Sequence, residues 1–188
     1  MDTLTELANH LGTDKGTTHQ EAHNYTSVYE MYFDTLRDKP IKMLEIGIWD
    51  HRFPGASVKL WTSYFTDLDF IGFEIQPEAK QLEQPNVRIY TGDQYKVDDL
   101  NNCITQYGSN YDIIIDDGIH TFDAIKVSFE VLYPHLKKGG IYVIEDIHAN
   151  DSRYIEGWLN QNNYEYKSYC YTTLWSPGDK LLMLEKTS

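Results

Sequence analysis

Ile113-Ile114-Ile115 runs directly into Asp116-Asp117-Gly118-Ile119-His120, and further on Tyr142-Val143-Ile144 runs into Glu145-Asp146. In both stretches a short apolar segment stops abruptly at carboxylates. Brief runs of this kind, apolar at nearly every position, belong to strands buried on both faces of a parallel sheet. In open α/β sheets ligands bind beyond the carboxyl ends of such strands, so the chemistry is expected where these runs end.

Working outward, the same apolar pattern occupies residues 41–48, 69–75, 86–90, 111–115 and 140–144. Helix-like stretches lie between them, over Ala56–Tyr64, Val97–Tyr107 and residues 121–135. In the last, Phe122, Ile125, Phe129 and Leu132 recur at three- and four-residue spacing, the stripe of a helix lying on a sheet. Lys137-Lys138-Gly139-Gly140 reads as the basic, glycine-containing end of that helix. Strand and helix in alternation predict an α/β, Rossmann-like doubly wound, mostly parallel seven-stranded sheet. Residues 164–172 and 180–186 are strand-like and joined by Trp175-Ser176-Pro177-Gly178-Asp179, which predicts an antiparallel C-terminal hairpin. The first forty residues read as a helical lead-in, with Thr26–Phe33 as one aromatic-lined segment. No repeat or linker interrupts the chain, so a single domain over 1–188 is expected.

Acidic side chains outnumber basic ones 29 to 16, a net charge of −13. Such a surface repels phosphate backbones and anionic membranes, so neither nucleic acid nor membrane is an expected partner. Two cysteines, Cys103 and Cys170, are too few for a disulfide framework, and no CxxC or Cys/His cluster suggests structural zinc. The opening residues lack a signal peptide's pattern, and no apolar run approaches the roughly 20 residues of a membrane span. A cytoplasmic location is the expectation.

Each strand end carries candidate chemistry. After the first comes Glu45-Ile46-Gly47-Ile48-Trp49, where Gly47 allows close approach of a ligand to the backbone. The second ends in Phe73-Glu74-Ile75, and an acidic residue there is the usual clamp on ribose hydroxyls. The third leads to Gly92-Asp93-Gln94, polar groups suited to an adenine edge. Together these describe a nucleoside pocket. Asp116, Asp117, Glu145 and Asp146 would converge at one sheet edge, where a divalent cation is the natural counter-charge and oxygen ligands favour Mg²⁺. Any of them could instead cap the following helix. His120, three residues beyond Asp117, could take a proton from a hydroxyl that the cation has acidified. Tyr25, Tyr29, Tyr32 and Trp175 offer a sugar platform, although helical spacing of the first three favours plain core packing.

Leu44-Glu45-Ile46-Gly47, Ile71-Gly72-Phe73-Glu74, Gly92-Asp93-Gln94, Asp116-Asp117-Gly118-Ile119-His120 and Val143-Ile144-Glu145-Asp146 together resemble class I S-adenosylmethionine-dependent methyltransferases. More narrowly, they look like the metal-dependent O-methyltransferases of macrolide and rhamnosyl sugars. Leu11-Gly12-Thr13-Asp14-Lys15-Gly16, followed by Tyr25 and Tyr29, is similar to that family's lead-in. The resemblance implies S-adenosylmethionine and Mg²⁺ as cofactors and a sugar or glycoconjugate as substrate. It places Asp117, Glu145 and Asp146 on the metal and His120 as general base. Glu45 and Gly47 fall at the methionine end of the cofactor, Glu74 at the ribose, and Asp93 with Gln94 near the adenine; Asp116 is counted with this cofactor set. Larger relatives carry an additional N-terminal domain that contributes to assembly, for which this chain has no room; a homodimer stays open. Ile119 stands where relatives often have Ser.

Two other readings compete with this one. A nicotinamide-dependent sugar oxidoreductase would use the same nucleoside pocket, although no Tyr-xxx-Lys pair is suitably placed and the carboxylates would repel a pyrophosphate. A non-catalytic nucleoside-binding module would tolerate loss of Asp117 and His120.

Overall fold

The computed structural model describes residues 2–19, 22–172 and 177–187. Its seven strands are β1 (Pro40–Ile46), β2 (Asp67–Glu74), β3 (Val87–Thr91), β4 (Tyr111–Asp116), β5 (Leu136–Ile147), β6 (Lys167–Thr172) and β7 (Pro177–Glu185). They form one sheet in the order β3-β2-β1-β4-β5-β7-β6. The first five pair in parallel, and β7 runs antiparallel to both β5 and β6. The order reverses between β1 and β4, the switch point at which ligands enter doubly wound sheets.

Two apolar layers sandwich the sheet. On one face α1 (Leu4–Leu11), α2 (Thr26–Phe33) and α3 (Ala56–Tyr64) bury Leu4, Tyr29, Phe33 and Trp61 against Met43, Phe70 and Ile113. On the other, α4 (Val97–Tyr107), α5 (Phe122–Leu132) and α6 (Ala149–Gln161) bury Leu100, Ile125, Phe129 and Ile155 against Leu44, Ile71, Ile114 and Ile144. Adjacent strand residues therefore go to opposite faces and both are buried, which is why the runs show no polar alternation.

The reading of Lys137–Gly140 as a helix end is corrected. Pro134 follows α5 in a short 3-10 turn (Tyr133–His135), and these residues open β5 instead. The β4–β5 register skips between Tyr111 and Ile113, and the Gly139 amide donates to the Lys186 carbonyl. Helix α6 was not anticipated; its mixed polar composition masks the buried Ile155 and Leu159. The expected connection at Trp175-Ser176 lies outside the described residues, as does any platform role for Trp175. Among the described residues, no helix is long and apolar enough to cross a membrane.

Candidate active site

The strand ends are stitched together by backbone bonds that bring their terminal residues into register. The Gly47 amide donates to the Phe73 carbonyl, the Gly92 amide to Glu74, and the Asp117 amide to Ile46. Gly47 has φ of +80°, and a Cβ there would overlap the Asp117 carbonyl, so only glycine lets β1 and the β4 loop meet. His120 (φ +55°) and Asp146 (φ +50°) are non-glycine residues in the same left-handed region. Strained backbone of this sort is tolerated where surrounding structure holds it, and here both residues line one cleft.

That cleft encloses about 480 Å³, within the range of cofactor pockets. Gly47, Glu74, Asp93, Gln94, Asp117, His120 and Asp146 all line it. The Glu74 carboxylate accepts from the Ile48, Trp49 and Gln76 amides, so it also shapes the β1 loop. Asp93 caps its own turn by accepting from the Tyr95 amide. Gln94 bridges two strand ends, its Nε2 donating to Asp116 Oδ1 at 2.7 Å and its Oε1 accepting from the Ile119 amide.

Glu45, Asp116 and Glu145 lie beneath the floor of the cleft rather than on its wall. Burial pushes the Asp116 carboxyl up to about 6, against the hydrogen bonds from Ser128 and Gln94. Burial likewise raises Glu45 to about 7 in spite of Lys15. Glu45 Oε2 accepts from Ser57 Oγ at 2.9 Å.

The sequence reading had no role for Lys15 beyond its place in the lead-in. Its side chain is buried, and its Nζ lies 2.6 Å from both Asp117 Oδ2 and Glu145 Oε2 and 3.7 Å from Glu45 Oε1. Burial alone would lower its pKa, but these carboxylates hold it well above the usual lysine value. Two tyrosines complete the cluster. Tyr29 donates to Glu145 Oε1 and Tyr25 to Asp146 Oδ1, while their rings sit fully buried in the core. Their helical spacing announced the packing; nothing local in the sequence announced the hydroxyl contacts, which span more than a hundred residues.

Two overlapping groups have ligand atoms within 4.8 Å of one another: Asp117, His120 and Asp146 on the cleft, and Glu45, Asp117 and Glu145 below it. The three carboxylates expected on the metal are thus distributed unequally. Asp117 and Asp146 reach the cleft, whereas Glu145 is engaged by Lys15 and Tyr29. Oxygen donors in this number suit a hard divalent ion, and His120 Nε2 stands 4.0 Å from Asp117 Oδ1. Burial lowers the His120 pKa, offset in part by Asp146. Burial thus favours the neutral imidazole, the form able to accept a proton.

No family model matches the chain. Over 128 residues it is 34% identical to the mycinamicin VI 2''-O-methyltransferase of Micromonospora griseorubida, a match covering 66% of this chain and 32% of that one. Over 150 residues it is 33% identical to the 8-demethyl-8-alpha-L-rhamnosyl tetracenomycin-C 2'-O-methyltransferase of Streptomyces olivaceus, covering 78% and 38%. The MycE methyltransferase, solved with Mg, SAH and mycinamycin VI, superposes with a TM-score of 0.78 at 25% identity over 99% of this chain and 55% of that one. The chain is similar, over part of their length, to proteins named as sugar O-methyltransferases. Its sheet, mostly parallel with antiparallel C-terminal strands, is the α/β methyltransferase fold. The chain spans about a third of the length of these curated homologues.

Proposed function

We propose that the chain is an S-adenosylmethionine- and Mg²⁺-dependent O-methyltransferase acting on a hydroxyl of a deoxy-sugar, rhamnose-like, in a glycan or a glycosylated natural product. The observation that carries this reading is the convergence of Asp117, His120 and Asp146 on the same cleft as the nucleoside-type strand ends at Gly47, Glu74 and Asp93. The homologues are named for sugar methylation, and MycE was solved with Mg and SAH.

When bound, the cofactor supplies an electrophilic sulfonium methyl, and a divalent cation supplies a Lewis acid that orients and acidifies a hydroxyl. The chain's own residues do the rest. Gly47 and the β1 loop bring bare backbone to the methionine end, Glu74 and Asp93 line the nucleoside end, and Gln94 with Asp116 fixes the turn between them. Asp117 and Asp146 present the oxygens for the cation, with Glu145 held behind them. His120 accepts the acceptor hydroxyl's proton at Nε2. Trp49, Phe53 and His19 also line the cleft, and Phe53 packs edge-on against His19 at 4.8 Å; such rings give a sugar an apolar face. The acidic cleft suits a cationic sulfonium and disfavours a pyrophosphate, which speaks against the nicotinamide reading.

The test is incubation of the chain with S-adenosylmethionine, Mg²⁺ and a panel of rhamnosides, read by mass spectrometry. A gain of one methyl per sugar, abolished by EDTA, is expected. No transfer to any deoxy-sugar, with cofactor demonstrably bound, would remove the substrate assignment.

A further inference from the structure

Lys15 is a buried cation supplied by a segment outside the sheet. The loop carrying it is fastened on both sides. Gly12 ends α1 in a left-handed conformation, and the Lys15 carbonyl accepts from Thr26 while those of Asp14 and Gly16 accept from His23 and Asn24. The ammonium so placed touches the ends of β1, β4 and β5 at once, through Glu45, Asp117 and Glu145. Those same three side chains are also a group whose oxygens could hold a metal ion, and among the described residues Glu45 Oε1 has no hydrogen-bond partner. Asp117 belongs to this group through one oxygen and to the cleft through the other: Oδ2 meets Lys15, and Oδ1 faces His120.

We infer that Lys15 is a positioning residue that acts as a built-in counter-ion: its ammonium fills the space among Glu45, Asp117 and Glu145 that a divalent cation would otherwise take, and it turns the second oxygen of Asp117 toward His120 and Asp146. The inference rests on the proposed metal-dependent reading and adds to it the reason for a single ion on the cleft side. Glu45 and Glu145 are buried, Asp117 is partly so, and Lys15 is the cation that meets all three, so a second ion would take its place if the lysine were absent. With Lys15 in place, the divalent ion is confined to the side on which the acceptor hydroxyl can reach it.

The experiment is titration of the EDTA-stripped chain with Mn²⁺ alone, counted by electron paramagnetic resonance, for wild type and Lys15→Met. Wild type is expected to bind one ion per chain and Lys15→Met two, with turnover in the variant reduced at least tenfold. Lys15→Met binding one ion at wild-type affinity, whatever its turnover, overturns the inference and leaves the proposed function standing. Wild type binding no ion fails the metal-dependent reading itself and the inference with it. Should Lys15→Met be unfolded in EDTA, the titration is followed by circular dichroism. Refolding on Mn²⁺ with two ions per folded chain supports the inference, and persistent unfolding overturns it.

Discussion

Lys15 and Asp117 are 102 residues apart in the chain, and their ammonium and carboxylate meet at 2.6 Å in the interior. The contact ties the helical lead-in to the end of β4. Each partner is costly to bury alone, so loss of either leaves an uncompensated charge. The lead-in is therefore part of the site rather than a decoration of the sheet.

Asp117→Asn removes the carboxylate charge that meets Lys15 through Oδ2 and faces His120 through Oδ1. Loss of an outer-shell partner already weakens metal sites by about 10–100-fold, and a direct oxygen should matter at least as much. Mn²⁺ affinity is expected to fall by that factor or more, together with turnover. Calorimetry on the stripped protein measures the first and a methyl-transfer assay the second; unchanged affinity would take Asp117 off the metal.

His120→Ala separates base from ligand. As a base, its loss should lower turnover by about 100-fold or more and leave cofactor and Mn²⁺ affinities within a factor of two. A drop in ion affinity parallel to turnover would make His120 a ligand, as its place in the Asp117–Asp146 group allows.

Gly47→Ala tests the close approach at the switch point. The side chain would be strained by the positive φ and would press on the Asp117 carbonyl, so a loss beyond the roughly 1 kcal/mol of a simple glycine replacement is expected. Thermal melts read the stability, and loss of cofactor binding should accompany it. A variant that melts and binds like wild type would contradict the geometry.

Much of this was legible in the sequence for a physical reason. Strands buried on both faces and cut off by acids, such as Ile113 to Asp117, signal both sheet position and site position in one stretch. Ala56–Tyr64 and Val97–Tyr107 were readable as helices because they lie between the strand-like runs of an alternating pattern. Contacts distant in sequence were not readable. Lys15 among carboxylates, and the Tyr25 and Tyr29 hydroxyls on Asp146 and Glu145, arise only when α1 and α2 pack on the sheet. Gln94 and Asp116 were legible as polar strand ends, but their bond to each other, rather than outward to a ligand, depends on the fold of both loops. Lys137–Gly140 misled because basic residues and glycines also suit a strand that begins with a bulge.

The two cysteines should behave differently. Cys103 is buried and Cys170 exposed, so a thiol reagent is expected to label one site in native protein and two in denaturant. Burial pushes the Cys103 thiol up to about 12. Unfolded chains lose that proton near pH 8.5, so between about 8.5 and 12 the native state holds more protons and stability falls as pH rises. Cys103→Ala should be less stable at pH 7 but should show a shallower alkaline decline in urea midpoints. An identical slope would mean that the thiol is not the group responsible.

The most direct test of the central claim is calorimetric titration of S-adenosylmethionine into the EDTA-stripped chain, repeated with Mg²⁺ present. Micromolar binding in a one-to-one ratio is the expected result, and its loss in Gly47→Ala would tie it to the cleft that Gly47, Glu74 and His120 line. Absence of binding heat in both conditions, across temperatures, would contradict the methyltransferase account and return the carboxylate cluster to an unexplained feature of the fold.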